Sequence, residues 1–463
     1  MADEEKKVPV WNSYDEDAIM ELQELNDKYK KFLSDCKTER ESTDEAVRQA
    51  KEAGYVDLKE IIASGRKLSA GDKVYAVNMG KALAMFNIGT MPLENGMSIL
   101  GAHIDTCRLD VKQNPLYEAG GMAYLDTHYY GGIKKYQWVT LPLALHGVVA
   151  KPDGTVKTIT IGEDEADPVF CVTDLLIHLS KDQIEKKASV VIEGEKLDIL
   201  VGNYPLEGKD KEAVKAGVLK LLKDKYDIDE EDFLSAELTL VPAGKARDLG
   251  FDRSMILAYG HDDRVCSYTS LKAMLDVPEV ERTSCCLLVD KEEIGSVGAT
   301  GMHSMFFENT VAEVLNAMGD YSELKVRRTL ANSYMLSSDV SAGYDELYSS
   351  AYDKKNTCFL GKGMVFNKFT GARGKSGSSD ANAEYIAKLR GIMMKHNVAF
   401  QLAELGKVDQ GGGGTIAYIM AKYGMNVIDS GVGVLSMHAP WEAVSKVDVY
   451  EAYKGYKAFL KEI

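Results

Sequence analysis

Cysteine, proline and tryptophan are scarce in this chain, whose 463 residues include seven cysteines, ten prolines and three tryptophans. A small, odd number of cysteines without paired spacing argues against a disulfide framework and predicts reduced thiols. No stretch approaches the roughly 20 consecutive apolar residues that a membrane-spanning helix requires. Residues 1–7, MADEEKK, also lack the apolar core of a secretion signal. Cytoplasmic residence is therefore the expectation.

Positive charge is also in short supply, because 55 lysines and arginines face 71 acidic residues and give a formal net charge of -16. A surface of that average sign repels nucleic acid and anionic membranes, so neither is expected as a partner. The composition, 45% hydrophobic and 27% charged, is that of an ordinary soluble globular protein. At this length more than one domain is expected.

Strand and helix signals alternate after Tyr259, which predicts an α/β fold with a helix-covered, mainly parallel sheet. Residues 110–251 show a different pattern of hydrophobic and polar residues. They contain strand patterns at 138–149 and 156–161, followed by a charged helical pattern at 211–225. We predict a discontinuous catalytic domain at 1–109 and 252–463, interrupted by an inserted β-rich domain at 110–251. Helical spacing also predicts helices near 14–36 and 447–463.

Two adjacent carboxylates, Glu292 and Glu293, follow the apolar run 285–289, which is typical of a buried strand. One member of such a pair can bind a metal while its neighbour faces a water. Further polar residues follow four other apolar runs: His103 with Asp105, Asp262, Asp339 and His438. In an open α/β sheet, ligands gather beyond the carboxyl ends of the strands, so these segments are expected to meet there.

Hydrolysis of an amide at neutral pH needs an activated water and a stabilised oxyanion, which two metal ions about 3.5–4 Å apart can supply. In our hypothesis Asp262 bridges the two ions. His103 and Asp339 complete one site, and Glu293 and His438 complete the other. Glu292 then acts as the general base, while Asp105 orients His103. Mixed oxygen and nitrogen ligands suit zinc, manganese or cobalt, and the residue types do not choose among them.

Each of these residues also has an ordinary explanation. A His-x-Asp pair is often hydrogen-bonded or solvated, and an acidic pair such as Asp262-Asp263 often begins a helix. Glu292 and Glu293 could form a solvated charge run, and Asp339 could be a turn residue. Their joint occurrence after five apolar runs favours a functional site.

The motifs form an ordered set: GAHID at 101–105, GHDDR at 260–264, DKEEIGS at 290–296, SD at 338–339 and SMHAPWE at 436–442. This set resembles the aspartyl aminopeptidase and aminopeptidase I family of dinuclear zinc exopeptidases, over nearly the whole chain. The resemblance implies two divalent ions per subunit, with zinc as the metal. It implies the same five ligands, His103, Asp262, Glu293, Asp339 and His438, with Glu292 as general base and Asp105 supporting His103.

The resemblance also implies a tetrahedral dodecamer assembled from dimers, with the inserted domain making subunit contacts. It suggests that His178 of that domain reaches a neighbour's active site and that Lys375 faces the substrate. Residues 376–382, SGSSDAN, depart from the asparagine-rich run ending in tyrosine of the better-known members. The preference for acidic, neutral or basic N-terminal residues therefore stays open.

The sequence thus predicts a cytoplasmic two-metal aminopeptidase acting on peptides. One alternative is a related dinuclear metallohydrolase that acts on N-acylated or C-terminal substrates, since one centre can serve several amides. Another is a self-assembling structural or cargo-binding protein with a vestigial metal site. The presence of Glu292 beside a complete candidate ligand set counts against this second alternative.

Overall fold

The computed structural model describes residues 10–463, so the prediction about a secretion signal at residues 1–7 lies outside the described residues. The chain separates into two compact units. The first comprises the described part of Met1–Asp105 together with Ala246–Met437 and Glu442–Ile463, and the second comprises Thr106–Lys245 and His438–Trp441. Within residues 10–463, no helix has both the length and the apolar content needed to cross a membrane.

The first unit begins with helices and strands that lead to His103. In chain order these are α1 Glu16–Asp35, α2 Glu39–Glu52, β1 Val56–Asp57, α3 Leu58–Ser64, β2 Lys73–Asn78, β3 Ala82–Asn87 and β4 Ser98–His103. Helix α1 lies within the predicted 14–36 segment. The side chain of Asp15 accepts a hydrogen bond from the N–H of Ala18 and thereby caps the helix.

The second unit is rich in strands. Its elements are β5 Arg108–Ala119, β6 Met122–Tyr130, β7 Leu143–Ala150, β8 Val156–Ile161, β9 Cys171–Val172, α4 Lys181–Ile184, α5 Ala188–Val191, β10 Ile199–Gly202, α6 Ala213–Tyr226 and β11 Ala236–Pro242. The strands form one antiparallel sheet in the order β8-β7-β11-β5-β6-β10-β9. The strand predicted at 156–161 and the helix predicted at 211–225 are both present. A role for this unit in assembly stays a prediction.

The rest of the first unit alternates strands and helices. These are β12 Arg247–Leu249, β13 Met255–Ala258, α7 His261–Leu275, β14 Ser284–Val289, α8 Phe306–Ala317, α9 Glu323–Ala331, β15 Tyr334–Ser338, β16 Ser341–Ala342, β17 Met364–Asn367, α10 Ala383–Lys395, β18 Phe400–Leu402, α11 Ala417–Ala421, β19 Asn426–Gly431, β20 Gly433–Leu435, β21 Glu442–Ser445 and α12 Lys446–Glu462.

The large sheet of the first unit has the strand order β1-β2-β3-β14-β4-β15-β19-β17-β18 within the described residues. Its central strands β14, β4, β15 and β19 are mutually parallel. The antiparallel pairings are β2 with β3, β3 with β14, and β17 with β19. The predicted α/β fold is confirmed, and the parallel centre brings the carboxyl ends of β14, β4 and β15 to one edge.

Helices cover both faces of this sheet. Along β4, Ile99 packs into one apolar cluster, whereas Leu100 and Ala102 pack into the other. Val311 of α8 lies in the cluster of Ile99, and Phe459 of α12 lies in the cluster of Leu100. Because both faces are buried, the central strands appear in the sequence as continuous apolar runs rather than as an alternating pattern.

A smaller sheet in the first unit has the order β12-β13-β21-β20-β16 within the described residues. This sheet contains β13 and β20, the strands that precede Asp262 and His438. The expectation that all five polar segments follow strands of one open sheet is therefore wrong for these two. It holds for His103, for the Glu292–Glu293 pair and for Asp339, whose strands lie side by side in the large sheet.

Candidate metal centre

The Glu292–Glu293 pair lies close to His103 because of strand register. His103 is the last residue of β4 and pairs with Val289, the last residue of β14. Beyond β14, Lys291 adopts a left-handed conformation with φ of 68°, and a 3-10 helix, Glu292–Ile294, follows. This turn carries both glutamates just past the edge of the sheet at which β4 ends.

Asp339 follows β15 directly, and its position depends on a close approach by β19. Its N–H donates to the carbonyl of Ser430 at 3.0 Å, which continues the pairing of β15 with β19. A Cβ atom on the neighbouring Gly431 would lie only 2.0 Å from the carbonyl oxygen of Asp339. Glycine is therefore required at residue 431 for β19 to pass this close to the candidate ligand.

Asp262 is the second residue of α7, and a buried glutamate holds its backbone. The N–H of Asp262 donates to Oε2 of Glu442 at 3.0 Å. Glu442 is 1% exposed and begins β21, where it pairs with Ala258 of β13. The peptide bond between Asp262 and Asp263 is cis.

The imidazole of His103 lies at the centre of the carboxylates. Its Nε2 is 3.1 Å from Oδ1 of Asp262 and 4.0 Å from both Oε2 of Glu292 and Oδ1 of Asp339. Its Nδ1 is 3.0 Å from the carbonyl oxygen of Asp105. A carbonyl can only accept, so Nδ1 carries the proton of the neutral ring and Nε2 presents its lone pair toward the carboxylates.

The carboxylate of Asp105 joins His103 to the glutamate turn. Asp105 is fully buried, and its Oδ1 lies 3.3 Å from Nδ1 of His103. The same carboxylate accepts the backbone N–H of Glu292 at 3.1 Å and that of Glu293 at 3.2 Å. Asp105 therefore fixes both the imidazole and the start of the 3-10 helix.

The arrangement of these donor atoms fits divalent cations. Among the described residues of the first unit, three sets each have one potential ligand atom per residue, all within 4.8 Å of one another: His103 with Asp262 and Glu293, His103 with Glu292 and Asp339, and Asp262 with Asp263 and Asp339. Two ligand atoms on one tetrahedral zinc, with bonds of 2.0–2.1 Å, stand about 3.3 Å apart. The separations of 3.1 and 4.0 Å around Nε2 of His103 bracket that value.

The electrostatics of the cluster also favour a bound cation. Burial lowers the pKa of His103, but hydrogen bonds to Asp105 and Asp262 outweigh it and raise that pKa well above its ordinary value. Burial, together with the charges of Asp263 and Glu292, raises the pKa of Asp339 well above its ordinary value. Such shifts mean that without added positive charge the cluster takes up protons, and a divalent ion supplies that charge directly.

The remaining predicted residues are His438, His178 and Lys375. His438 follows β20 and groups with the second unit, where its Nδ1 donates to the carbonyl of Gly132 at 3.0 Å. His178 is exposed on a 3-10 helix, Ile177–Leu179, of the second unit. Lys375 is exposed in a loop of the first unit, where its ammonium pairs with Asp380 at 2.9 Å and lies 3.9 Å from the ring centroid of Phe369.

Sequence reasoning assigned no role to Glu442 or Asp263, although both lie within the quoted motifs. Glu442 contacts the backbone of Asp262, and Asp263 is completely buried beside Asp262 and Asp339. The sequence did not indicate that either residue is buried, because both are charged and lie in segments without clear periodicity. The position of Glu442 depends on the β13–β21 pairing, which sequence patterns do not reveal.

Comparison with known proteins gives a consistent result. The model of a protein family described as "Aminopeptidase I zinc metalloprotease (M18)" matches residues 32–460. A probable M18 family aminopeptidase 1 from Clostridium acetobutylicum is 60% identical over 451 residues, covering 97% of each chain. A crystal structure of aminopeptidase I from the same organism gives a TM-score of 0.92 at 57% identity, covering 98% of this chain and 99% of that one. An M18 aminopeptidase structure from Thermotoga maritima gives 0.94 at 43% identity, with the same coverage.

Proposed function

The chain belongs to the M18 family of zinc metalloproteases and is an aminopeptidase, and from that premise we propose that it removes N-terminal residues from peptides at a centre of two divalent ions, most readily zinc. The observation that carries the proposal is the convergence of Asp262, Glu292 and Asp339 on Nε2 of His103 at 3.1–4.0 Å. The comparisons support the aminopeptidase activity. The carboxylates around His103 support hydrolysis that depends on divalent metal ions.

In this proposal Asp262 would be a ligand shared by both ions. His103 and Asp339 would hold one ion, and Glu293 and His438 would hold the other. Support for His103 comes from the hydrogen bond of its Nδ1 to the Asp105 carbonyl, which leaves Nε2 available as a ligand. The hydrogen bond from Nδ1 of His438 to the carbonyl of Gly132 leaves Nε2 of that ring available in the same way.

When bound, a pair of divalent ions supplies a water of lowered pKa and a Lewis acid for the scissile carbonyl. Glu292 takes the proton of the attacking water and later gives it to the leaving amine. Its side chain retains 15% exposure, against 2% for His103, so it remains accessible to water. The hydrogen bond from its backbone N–H to Asp105 holds the carboxylate 4.0 Å from the imidazole.

The second unit, with residues 110–251 as its predicted extent, is proposed to mediate assembly into a tetrahedral dodecamer. A segment of apolar side chains that face solvent supports a subunit contact here: Leu175 is 46%, Leu176 54%, Ile177 70% and Leu179 68% exposed. A yeast structure of similar fold, with a TM-score of 0.76 at 21% identity, is described as the mApe1 dodecamer. His178 lies within the same segment, and we propose that it acts across the subunit contact.

Lys375 is proposed to bind the substrate as a point charge. Its present pairing with Asp380 at 2.9 Å is exposed, so a substrate carboxylate can compete for the ammonium at little cost. We leave the preferred N-terminal residue open. Cytoplasmic residence belongs to the same proposal.

The decisive experiment compares free-amine peptides with their N-acetylated counterparts. Metal-replete protein is expected to cleave only the free-amine series, and chelation is expected to abolish that cleavage. Ranking the cleavage rates of the free-amine peptides by their first residue then gives the preferred N-terminal residue. Cleavage of the acetylated series would instead identify a deacylating hydrolase, and bound metal without cleavage of any peptide would favour an assembly protein.

A further inference from the structure

Glu292 lies on a loop, residues 290–301, whose two ends are joined at one buried carboxylate. Asp290 directly follows β14 and is 0% exposed, and Thr300 is 3% exposed. The backbone N–H of Asp290 donates to the carbonyl of Thr300 at 3.2 Å. The hydroxyl of Thr300 donates to Oδ2 of Asp290 at 2.5 Å. A backbone and a side-chain hydrogen bond, both away from solvent, therefore close the loop that carries the proposed general base.

Asp290 also holds the residue at which the chain turns toward Glu292. Its Oδ1 accepts the N–H of Lys291 at 2.8 Å, and its Oδ2 lies 3.1 Å from the ammonium of Lys291. Lys291 has a φ of 68°, in the left-handed region that residues other than glycine seldom adopt. Such a conformation persists where the surrounding contacts enforce it. Asp290 supplies two of these contacts, so the course of the chain from β14 to Glu292 depends on its carboxylate.

Close packing fixes the backbone that carries Thr300. The N–H of Ser296 donates to the carbonyl of Lys291 at 2.6 Å, which closes the turn. A Cβ atom on Gly301 would lie only 2.3 Å from the carbonyl oxygen of Ser296. Glycine is therefore required at residue 301, and the chain passes against Ser296 immediately after Thr300. The loop thus brings the Thr300 hydroxyl to Asp290 from a backbone that is itself held in place.

We propose that Asp290 and Thr300 are positioning residues for Glu292. The Thr300 hydroxyl donates to Oδ2 and orients the Asp290 carboxylate, which directs Oδ1 at the N–H of Lys291. The turn at Lys291 then presents Glu292 to the attacking water. Asp105 accepts the N–H of Glu292 itself, so the backbone around the base is held from two directions. The inference rests on the proposed function, because it requires Glu292 to be the general base.

The expected effect is on proton transfer rather than on metal binding. Asp290 and Thr300 fix the residue before Glu292, whereas the N–H of Glu293 has a separate hydrogen bond to Oδ2 of Asp105. Glu293 is also a proposed ligand, so a metal bond holds it at saturating zinc. A displacement of Glu292 by a fraction of an ångström lowers the rate steeply, because the carboxylate must lie within hydrogen-bond distance of the water.

The test removes the Thr300 hydroxyl. Thr300→Val keeps the size of the side chain, Thr300→Ala avoids placing a methyl group against Asp290, and Thr300→Ser retains the hydroxyl. Thr310→Val is the matched control, because Thr310 is 6% exposed on α8 and its hydroxyl donates to the carbonyl of Phe306 at 2.7 Å. The kcat, the KM and the zinc content are measured on one preparation of each protein, and circular dichroism verifies folding.

Thr300→Val and Thr300→Ala are expected to lose about tenfold in kcat, with the KM within about twofold of wild type and the zinc content unchanged. Thr300→Ser and Thr310→Val are expected to keep the wild-type kcat. A wild-type kcat in Thr300→Ala, or an equal loss in Thr310→Val, would overturn the inference. Loss of zinc in parallel with kcat would overturn it as well. Thr300→Ala carries the test if Thr300→Val fails to fold.

A second experiment asks whether Thr300 acts through Glu292. In a Glu292→Gln background, Thr300→Val is expected to cause no further loss of turnover, because the group that Thr300 positions has already been removed. A further loss of about tenfold there would show that Thr300 acts on another part of the site, and the inference would be wrong. A fully active Glu292→Gln protein would instead contradict the proposed general base, so the two failures are distinguishable.

Discussion

The Oδ1 atom of Asp105 accepts the backbone N–H of Glu292 at 3.1 Å, so the carboxylate beside His103 also holds the turn that carries the proposed general base. Sequence reasoning gave Asp105 one task, which was to orient the imidazole. The structure adds a second, because Oδ2 of the same side chain accepts the N–H of Glu293 at 3.2 Å. Two successive backbone donors therefore depend on one buried side chain.

Asp105→Asn should lower kcat by about 10- to 100-fold, because an amide presents an acceptor to only one of the two N–H groups. The amide also removes the negative charge beside Nδ1 of His103. Asp448→Asn is the matched control, since Asp448 is equally buried and accepts the N–H groups of Gly361 and Gly363 at 2.7 Å in another part of the unit. Equal losses of kcat in the two variants would show that Asp105 contributes only as an acceptor for backbone N–H groups, as Asp448 does.

Glu292→Gln should nearly abolish turnover, by about 10²- to 10⁴-fold, while metal content stays at the wild-type level. The amide cannot take a proton from water but occupies the same volume. Steady-state kinetics and elemental analysis on the same preparation measure both quantities. Glu346→Gln, on an exposed 3-10 helix, serves as the surface control. A fully active Glu292→Gln variant would remove the residue from the mechanism.

Asp262→Ala and Glu293→Ala should lose metal as well as activity, which separates ligands from the general base. Removal of Asp262 deletes the proposed bridge and should reduce occupancy of both ions. Removal of Glu293 should affect one ion more than the other. Elemental analysis after dialysis against a weak chelator gives the number of ions per chain. Full occupancy in both variants would contradict the ligand assignment.

The site residues that follow strands of the large sheet could be predicted from the sequence. The residues that depend on loops or on the smaller sheet of the first unit could not. The run before Glu292 and the run before His103 were recognisable because both faces of β14 and β4 are buried, and register then brings the residues together. Glu442 could not be found from the sequence, because it lies 180 residues from Asp262 and is brought there by the pairing of β21 with β13. No local pattern encodes such a pairing.

Glu442 should prove to be a positioning residue for Asp262, acting through the backbone N–H that it accepts at 3.0 Å. Glu442→Ala removes that acceptor and should weaken metal binding by about 10- to 100-fold, whereas Glu442→Gln retains an acceptor and should recover most of the affinity. Glu451→Ala is the control, because Glu451 is equally buried and accepts the N–H of Ala399 at 2.7 Å. Chelator competition measures the affinities. An equal loss in Glu442→Ala and Glu451→Ala would indicate general destabilisation instead.

The pH dependence of stability should contain a contribution from Asp429, because burial raises its pKa from 3.8 to about 7. Between those values the folded protein holds a proton that the unfolded chain has released, so the free energy of unfolding falls as pH rises through the window. Asp429→Asn mimics the protonated form and keeps an acceptor for the Thr415 hydroxyl, which donates to Oδ1 at 2.6 Å. The variant should therefore gain stability relative to wild type as pH increases from about 4 to about 8, by at most a few kcal/mol. Urea denaturation of both proteins at a fixed metal load measures the difference, and parallel stability curves across that range would show that Asp429 remains ionised in the folded protein.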